Sequence, residues 1–303
     1  MKTLISKLSL LIASLFLITN IFAENPIKTL IITGQNNHNW QVSHLVLEQI
    51  LENSELFDVD LAVSPLPGDD MSRFVLDFTS YQLVVLDYVG DDWPEQTNQR
   101  FLDFVKKGGG VVVFHAADNA FTNWKEYNEI IALGGWNDRN EKSGPWVYWK
   151  DGKLVKDFSA GTGGSHGKQH EYVLNARNEK HPITKGLPAK WKHAKDELYD
   201  RMRGPGNIKD LLYTAFSDTE TGGSGREEPL IFTVSFGKGR IFHTMLGHTG
   251  ETAENNPSMQ CTGFQVLLLR GSEWAATGKV KQPVPADFPT ETQVSMRKDY
   301  KAK

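Results

Sequence analysis

Five histidines stand where apolar runs give way to polar residues or in the loops beside them: His38, His115, His170, His243 and His248. Imidazole changes charge near neutral pH and is the commonest metal ligand, so these positions suit proton transfer or metal binding. A single such histidine is more often a hydrogen-bonded structural residue. Together they form a pattern, because the loops after the carboxyl ends of parallel strands gather at one rim. With Asp118 or Glu197 completing the set, they would suit zinc, manganese or a similar divalent ion. His38, His115, His170 and His248 are the candidate ligands. His243 precedes Thr244 inside an apolar run and is expected to turn into the core. The chain has no His-Glu-x-x-His motif, so the spacing alone does not define a metal.

Other chemistries find less support. His115 follows the run Val111 to Phe114, at the strand-to-helix elbow where a nucleophile would sit. There it either serves a site or satisfies a loop carbonyl. No Gly-x-Ser-x-Gly is present, and the one cysteine, Cys261, comes late, beside a closing helix, which gives it a core role. The glycine run from Gly161 to Gly167 lacks the Gly-Lys-Ser/Thr of a phosphate loop, and no nucleotide cofactor is expected. It reads as a flexible flap or active-site loop. A net charge of −4 over 303 residues offers no basic footprint for nucleic acid.

The elements that must position these groups alternate. Ile27 to Thr33, Phe57 to Val63, Tyr81 to Asp87 and Val111 to Phe114 read as strands, apolar at nearly every position of the first and last, as in a parallel sheet buried on both faces. Val42 to Asn53 and Pro94 to Lys107 carry helical spacing between them. This order predicts a doubly wound, mostly parallel α/β sheet with helices on both faces. Later strands are expected at His170 to Leu174, Leu211 to Phe216, Leu230 to Phe236 and Gly239 to Leu246. Gly237-Lys238-Gly239 turns the last two into a hairpin, and Phe264 to Ala276 closes the fold as a helix. The stretch from Asn137 to Gln169 reads as a long polar loop.

Residues 1–23 have a positive start, an apolar middle from Leu8 to Ile18 and a small residue, Ala23, at the expected cleavage point. They read as a signal peptide, and with one cysteine left in the mature chain the expectation is a bacterial periplasmic or secreted protein. One domain is expected over residues 27–278, followed by a polar tail over 279–303 that forms a surface strap or is disordered.

Several segments, in order, resemble the ThuA-like (trehalose-utilisation) family. They are Val113-Phe114-His115-Ala116-Ala117, Glu129 to Gly135, His170, His181-Pro182-Ile183-Thr184-Lys185-Gly186-Leu187-Pro188, Asp196-Glu197-Leu198-Tyr199, and Gly237 to Phe242 followed by Gly247-His248. The resemblance implies a flavodoxin-like sheet of the class I glutamine amidotransferase type, with His115 in place of the nucleophilic cysteine, which argues against a cysteine amidotransferase. It also implies a role in sugar catabolism, with trehalose-like disaccharides handled through 3-keto intermediates, alongside a sugar dehydrogenase. The expected function is a metal- or histidine-dependent hydrolase or lyase acting on glycosides or 3-keto-glycosides. The alternative is a non-catalytic carbohydrate-binding or accessory protein working with the dehydrogenase. His115, His170 and His248 are expected around the reacting centre, with Glu197 and Asp118 in support and His38 as a further ligand. Trp40, Trp136 and Trp146 are candidates to stack on sugar rings. His181, before Pro182, is expected to fix a turn. Arg240 is expected to anchor the chain through a carboxylate, and a pairing of that kind would take Glu197 out of the site.

Overall fold

The structure, a computed structural model, describes residues 25–252 and 255–298. The expected signal peptide lies outside the described residues. The chain alternates through β1 (Ile27–Thr33), α1 (Trp40–Glu52), β2 (Phe57–Val63), β3 (Leu83–Leu86), α2 (Glu95–Lys107) and β4 (Gly110–Phe114). A 3-10 turn over His115–Asn119 and α3 (Lys125–Ile131) follow. Next come β5 (Trp146–Lys150), β6 (Lys153–Asp157), β7 (Ser165–His166), β8 (His170–Ala176), β9 (Lys190–Asp196) and β10 (Tyr199–Asp200). The chain then forms β11 (Asp210–Ser217), β12 (Arg226–Phe236), β13 (Gly239–Thr244), α4 (Pro257–Gln260) and α5 (Thr262–Thr277).

The main sheet runs in the order β2-β1-β3-β4-β13-β12-β11-β8-β9. Pairing is parallel from β2 through to β13 and antiparallel from there to β9. The parallel character therefore belongs to the first half of the sheet. Every residue of β3 and β4 is buried, which requires cover on both faces. One layer is α1 with α5, which touch each other. In the other, Trp93 before α2, Phe101 within it and Trp124 before α3 share an aromatic cluster.

α5 lies close against the sheet because it carries glycine where other helices carry bulk. A Cβ at Gly271 would come within 2.3 Å of the Phe242 ring, and one at Gly263 within 2.3 Å of Trp191. The C-terminal end of α5 is held by Arg240, whose guanidinium donates to the carbonyls of Trp274, Ala275 and Ala276. The expected carboxylate partner is thus replaced by helix-end carbonyls, a favourable place for a cation.

Two segments differ from expectation. The region from Asn137 to Gln169 is not a plain loop but contains the β5–β6 hairpin, turned by Asp151 (φ 50°) and Gly152 (φ 80°). An Asp-Gly pair with both φ values positive is the preferred two-residue hairpin turn. The glycine run is tied down as well: Gly163 N–H donates to Arg139 O at 2.7 Å, Gly164 N–H to Arg201 O at 2.9 Å, and β7 pairs with β10. The tail is a strap: Lys192 N–H donates to Thr290 O at 2.8 Å, and Phe288 packs on Trp191. Among the described residues, no helix is long and apolar enough to cross a membrane.

The turn from His181 to Lys185 is bound to α5 by the buried Arg270. Its guanidinium donates to Ile183 O (2.7 Å), Gln282 O (2.6 Å), Pro182 O (2.9 Å) and Lys185 O (2.8 Å). The His181 ring lies on Trp274 and its Nδ1 accepts from Ile183 N–H, so it serves the turn. Arg270→Ala leaves these carbonyls without their donor and is expected to cost about 2–4 kcal/mol, read as a lower midpoint in urea unfolding.

Candidate metal centre

Four loops meet at the carboxyl end of the parallel half. His38 lies in the loop after β1, His115 immediately after β4, Glu197 immediately after β9, and His248 beyond β13. One ligand atom from each of these four residues lies within 4.8 Å of the others. The Nε2 atoms of His38 and His115 stand 3.6 and 3.7 Å from Glu197 Oε2, and His248 Nε2 stands 3.6 Å from Glu197 Oε1. These separations exceed ordinary hydrogen bonds. Groups held this close without direct hydrogen bonds could be drawn onto one ion between them.

Each ligand is aimed by a partner behind it. His115 adopts φ 43°, a left-handed conformation unusual for a side-chain-bearing residue, and its Nδ1 meets Met245 O at 2.7 Å. That contact makes Nδ1 a donor and turns Nε2 toward Glu197. The His38 loop is held by Asn36, whose Oδ1 accepts from His38 N–H at 3.0 Å and meets His38 Nδ1 at 3.3 Å. Asn36 in turn donates to Asp87 at the end of β3, a buried carboxylate that also accepts from Ser43 Oγ (2.6 Å) and Thr33 Oγ1 (3.1 Å). Burial pushes the Asp87 carboxyl up to about 7, against those donors.

Asp196 ties the other two loops together. Its carboxylate, itself buried, accepts from His193 Nε2 (2.8 Å), Glu197 N–H (2.8 Å), Gly247 N–H (2.8 Å) and His248 N–H (3.0 Å). Glu197 and His248 are therefore fixed against each other through one side chain. Burial opposes ionisation of Asp196, but His193 holds its carboxyl below the usual range.

The electrostatics suit a cation. Burial raises the cost of charge on Glu197, yet the facing imidazoles of His115 and His38 hold its carboxyl far below the carboxylate range. Burial pushes His248 down to about 4 and lowers His38, so both offer lone pairs at neutral pH. For His115, burial is outweighed by Glu197 and Asp196, which hold it above the ordinary range. His248 Nδ1 is buried without a hydrogen-bond partner. Three imidazoles and one carboxylate around a point fit a divalent transition ion.

Not every expected residue reaches this point. His170 pairs across the β8–β9 ladder with Asp196, its Nδ1 faces Lys168 O, and it is not among the four. Asp118 is buried and sits 3.3 Å from His243 Nε2, so these two form a core pair, His243 as expected. Trp136 borders the centre, its ring 4.7 Å from Tyr199 and 5.9 Å from His166. Trp40 packs on His44, and Trp146 lies under the Arg203 guanidinium at 3.9 Å. Residues not expected are present. Tyr199 OH is 3.1 Å from His115 Nε2, His166 Nε2 is 3.6 Å from Glu197 Oε1, and Gln169 Nε2 donates to the same oxygen at 3.4 Å. The segment Asp196-Glu197-Leu198-Tyr199 held the signal for Tyr199; His166 lay in the glycine run without one.

Two results follow from this geometry. Titration of metal-free protein with Zn2+ in a calorimeter is expected to show one site per chain, weakened at least about 100-fold in His38→Ala and His248→Ala. Asp196→Asn, which touches no ion, is expected to weaken binding about 10- to 100-fold with an unchanged far-ultraviolet dichroism spectrum.

The trehalose utilisation (ThuA) family profile matches residues 28–275. The chain is 75% identical to a ThuA-like protein from Parabacteroides merdae whose crystal structure superposes with a TM-score of 0.90, covering 92% of this chain and 100% of that one. A ThuA-like protein from Bacteroides uniformis is 19% identical with a TM-score of 0.51, over 86% of this chain and 95% of that one, a likeness of fold. No curated protein matches the chain. With the family profile spanning nearly the whole sheet and its rim of histidines, the chain belongs to the ThuA family.

Proposed function

We propose that the protein is an exported enzyme of sugar catabolism that cleaves the glycosidic bond of 3-keto-glycosides, trehalose-like disaccharides among them, at a divalent metal centre. The observation that carries this reading is the convergence of His38, His115, Glu197 and His248 on one point. A cleft of about 600 Å3 opens beside it, reaching His38 and His248 and bordered by Asn37, Gln169, Lys195 and Ser258. That size suits a small molecule, and its polar lining suits a polyhydroxylated one. Membership of a family named for trehalose utilisation supports a carbohydrate as the ligand.

A ketone at C3 acidifies the proton at C2. Loss of that proton gives an enediolate, from which the C1 oxygen leaves. His38, His115, Glu197 and His248 are the residues that would hold the ion. When bound, a divalent ion would polarise the ketone and adjacent hydroxyl oxygens as a Lewis acid. Burial keeps the Tyr199 phenol protonated, so it acts as a hydrogen-bond donor beside the developing negative charge. Trp136, packed on Tyr199, helps keep water from that side. A sugar dehydrogenase would supply the 3-keto group upstream.

Purified protein loaded with Zn2+ or Mn2+ is expected to release glucose from the 3-keto derivative of trehalose and none from trehalose itself, followed by chromatography. His248→Ala is expected to lower the rate about 1000-fold. Tight sugar binding without turnover under any metal would instead favour the accessory, carbohydrate-delivering role.

A further inference from the structure

His166 is the one imidazole at this centre that stands outside the ligand set. Its Nε2 approaches Glu197 Oε1 to 3.6 Å, yet His166 is not among the residues whose ligand atoms mutually converge. Its other nitrogen, Nδ1, meets Gly167 O at 2.8 Å. A carbonyl only accepts, so Nδ1 carries a proton, and Nε2 is the nitrogen turned to the site. The side chain is 35% exposed, against 2% for His115, so a proton taken up here can pass to solvent.

The ring is also rigidly placed. β7 is only two residues long, but it pairs His166 directly with Tyr199. Residues directly opposite on such a ladder project to the same face. The two rings stack at 6.3 Å, and Trp136 closes on both, 5.9 Å from His166 and 4.7 Å from Tyr199. The strand is held at its ends by Gly164 N–H to Arg201 O and Lys168 N–H to Thr221 O. A base held by backbone pairing is in position before substrate arrives.

Neighbouring groups are poor candidates for the same task. Glu197 is engaged by three histidines and Gln169. Tyr199 is buried, and burial keeps the proton on its phenol. His38, His115 and His248 turn Nε2 toward the common point.

We propose that His166 is the proton-carrying catalytic residue of this site, a base on the substrate and not a ligand of the ion. The inference rests on the keto-glycoside reading above. His166 Nε2 removes the C2 proton, and the C–H electron pair forms the enediolate double bond as the C3 oxygen takes the negative charge. The oxygen's pair then restores the ketone, the C2–C3 pair moves to form the C1–C2 double bond, and the C1–oxygen bond breaks with its pair leaving on the oxygen. The departing oxygen takes the proton back from Nε2. The products are an alcohol and a 1,2-unsaturated 3-keto sugar, with no net change in oxidation state and no co-reactant.

The experiment compares wild type, His166→Ala and His166→Gln, each loaded with Zn2+, on the 3-keto derivative of trehalose in D2O. Proton NMR follows loss of the C2 signal and release of glucose, and calorimetry gives the Zn2+ affinity of each protein. The expected result is C2 exchange and cleavage both reduced about 100-fold or more in the two variants, with affinity within twofold of wild type. Variants as active as wild type would overturn the assignment and leave the keto-glycoside reading intact. Variants that lose Zn2+ in parallel with activity would make His166 a ligand. A wild type that binds Zn2+ but neither exchanges nor cleaves the substrate removes the keto-glycoside reading and the proton carrier with it. Agreement between the two variants guards against a folding defect in either one.

Discussion

The site depends on a buried carboxylate that is not itself one of the four converging groups. Asp196 accepts four hydrogen bonds, and three come from backbone N–H groups on two loops far apart in sequence. A buried carboxylate is costly unless its oxygens are satisfied, so the loops are held wherever those donors must be. Because its own neighbour is Glu197 and its partner across the gap is His248, satisfying Asp196 brings two of the four converging groups together. The fourth donor, His193, is itself buried and lies against Cys261, so this knot is continuous with the start of α5. The sheet supplies the remaining half: β1 and β4 are parallel neighbours of β3, which delivers His38 and His115 to the same rim.

The same arrangement separates roles among four imidazoles. Carbonyl or amide oxygens meet the Nδ1 atoms of His38, His115 and His166, leaving Nε2 to act. What distinguishes them is exposure and direction. Burial and convergence suit metal ligation, while an exposed ring on a short, well-tied strand suits proton exchange. The left-handed backbone at His115 turns its ring toward Glu197. Met245 O backs the ring from behind through Nδ1.

The parallel half of the fold was legible in the sequence because apolar runs such as Val111 to Phe114 have few other destinations than a doubly covered strand. His38, His115 and His248 were legible for the same reason, since each lies just beyond such a run. His170 opens its strand instead of following one and did not join the group, since β8 is antiparallel and its first residue stands opposite Asp196, one step out of phase with Glu197. Asp118 went to His243, a choice between two buried partners that no spacing reveals. β9 was missed because Lys190–Asp196 alternates lysine with buried residues, the pattern of a half-exposed strand. The β5–β6 hairpin was announced by Asp151-Gly152, but the surrounding polarity hid it. His166 could not be found locally at all: its place is set by a two-residue pairing with Tyr199, thirty-odd positions away.

The central claim is that the four converging side chains hold a divalent ion. Crystals of the full chain grown with Zn2+, measured on both sides of the zinc absorption edge, test it most directly. The account predicts one anomalous peak per chain, bonded to His38, His115, Glu197 and His248 at about 2.0–2.2 Å, with His166 Nε2 outside bonding distance. An empty centre with these side chains ordered, or a peak only elsewhere on the chain, would contradict it.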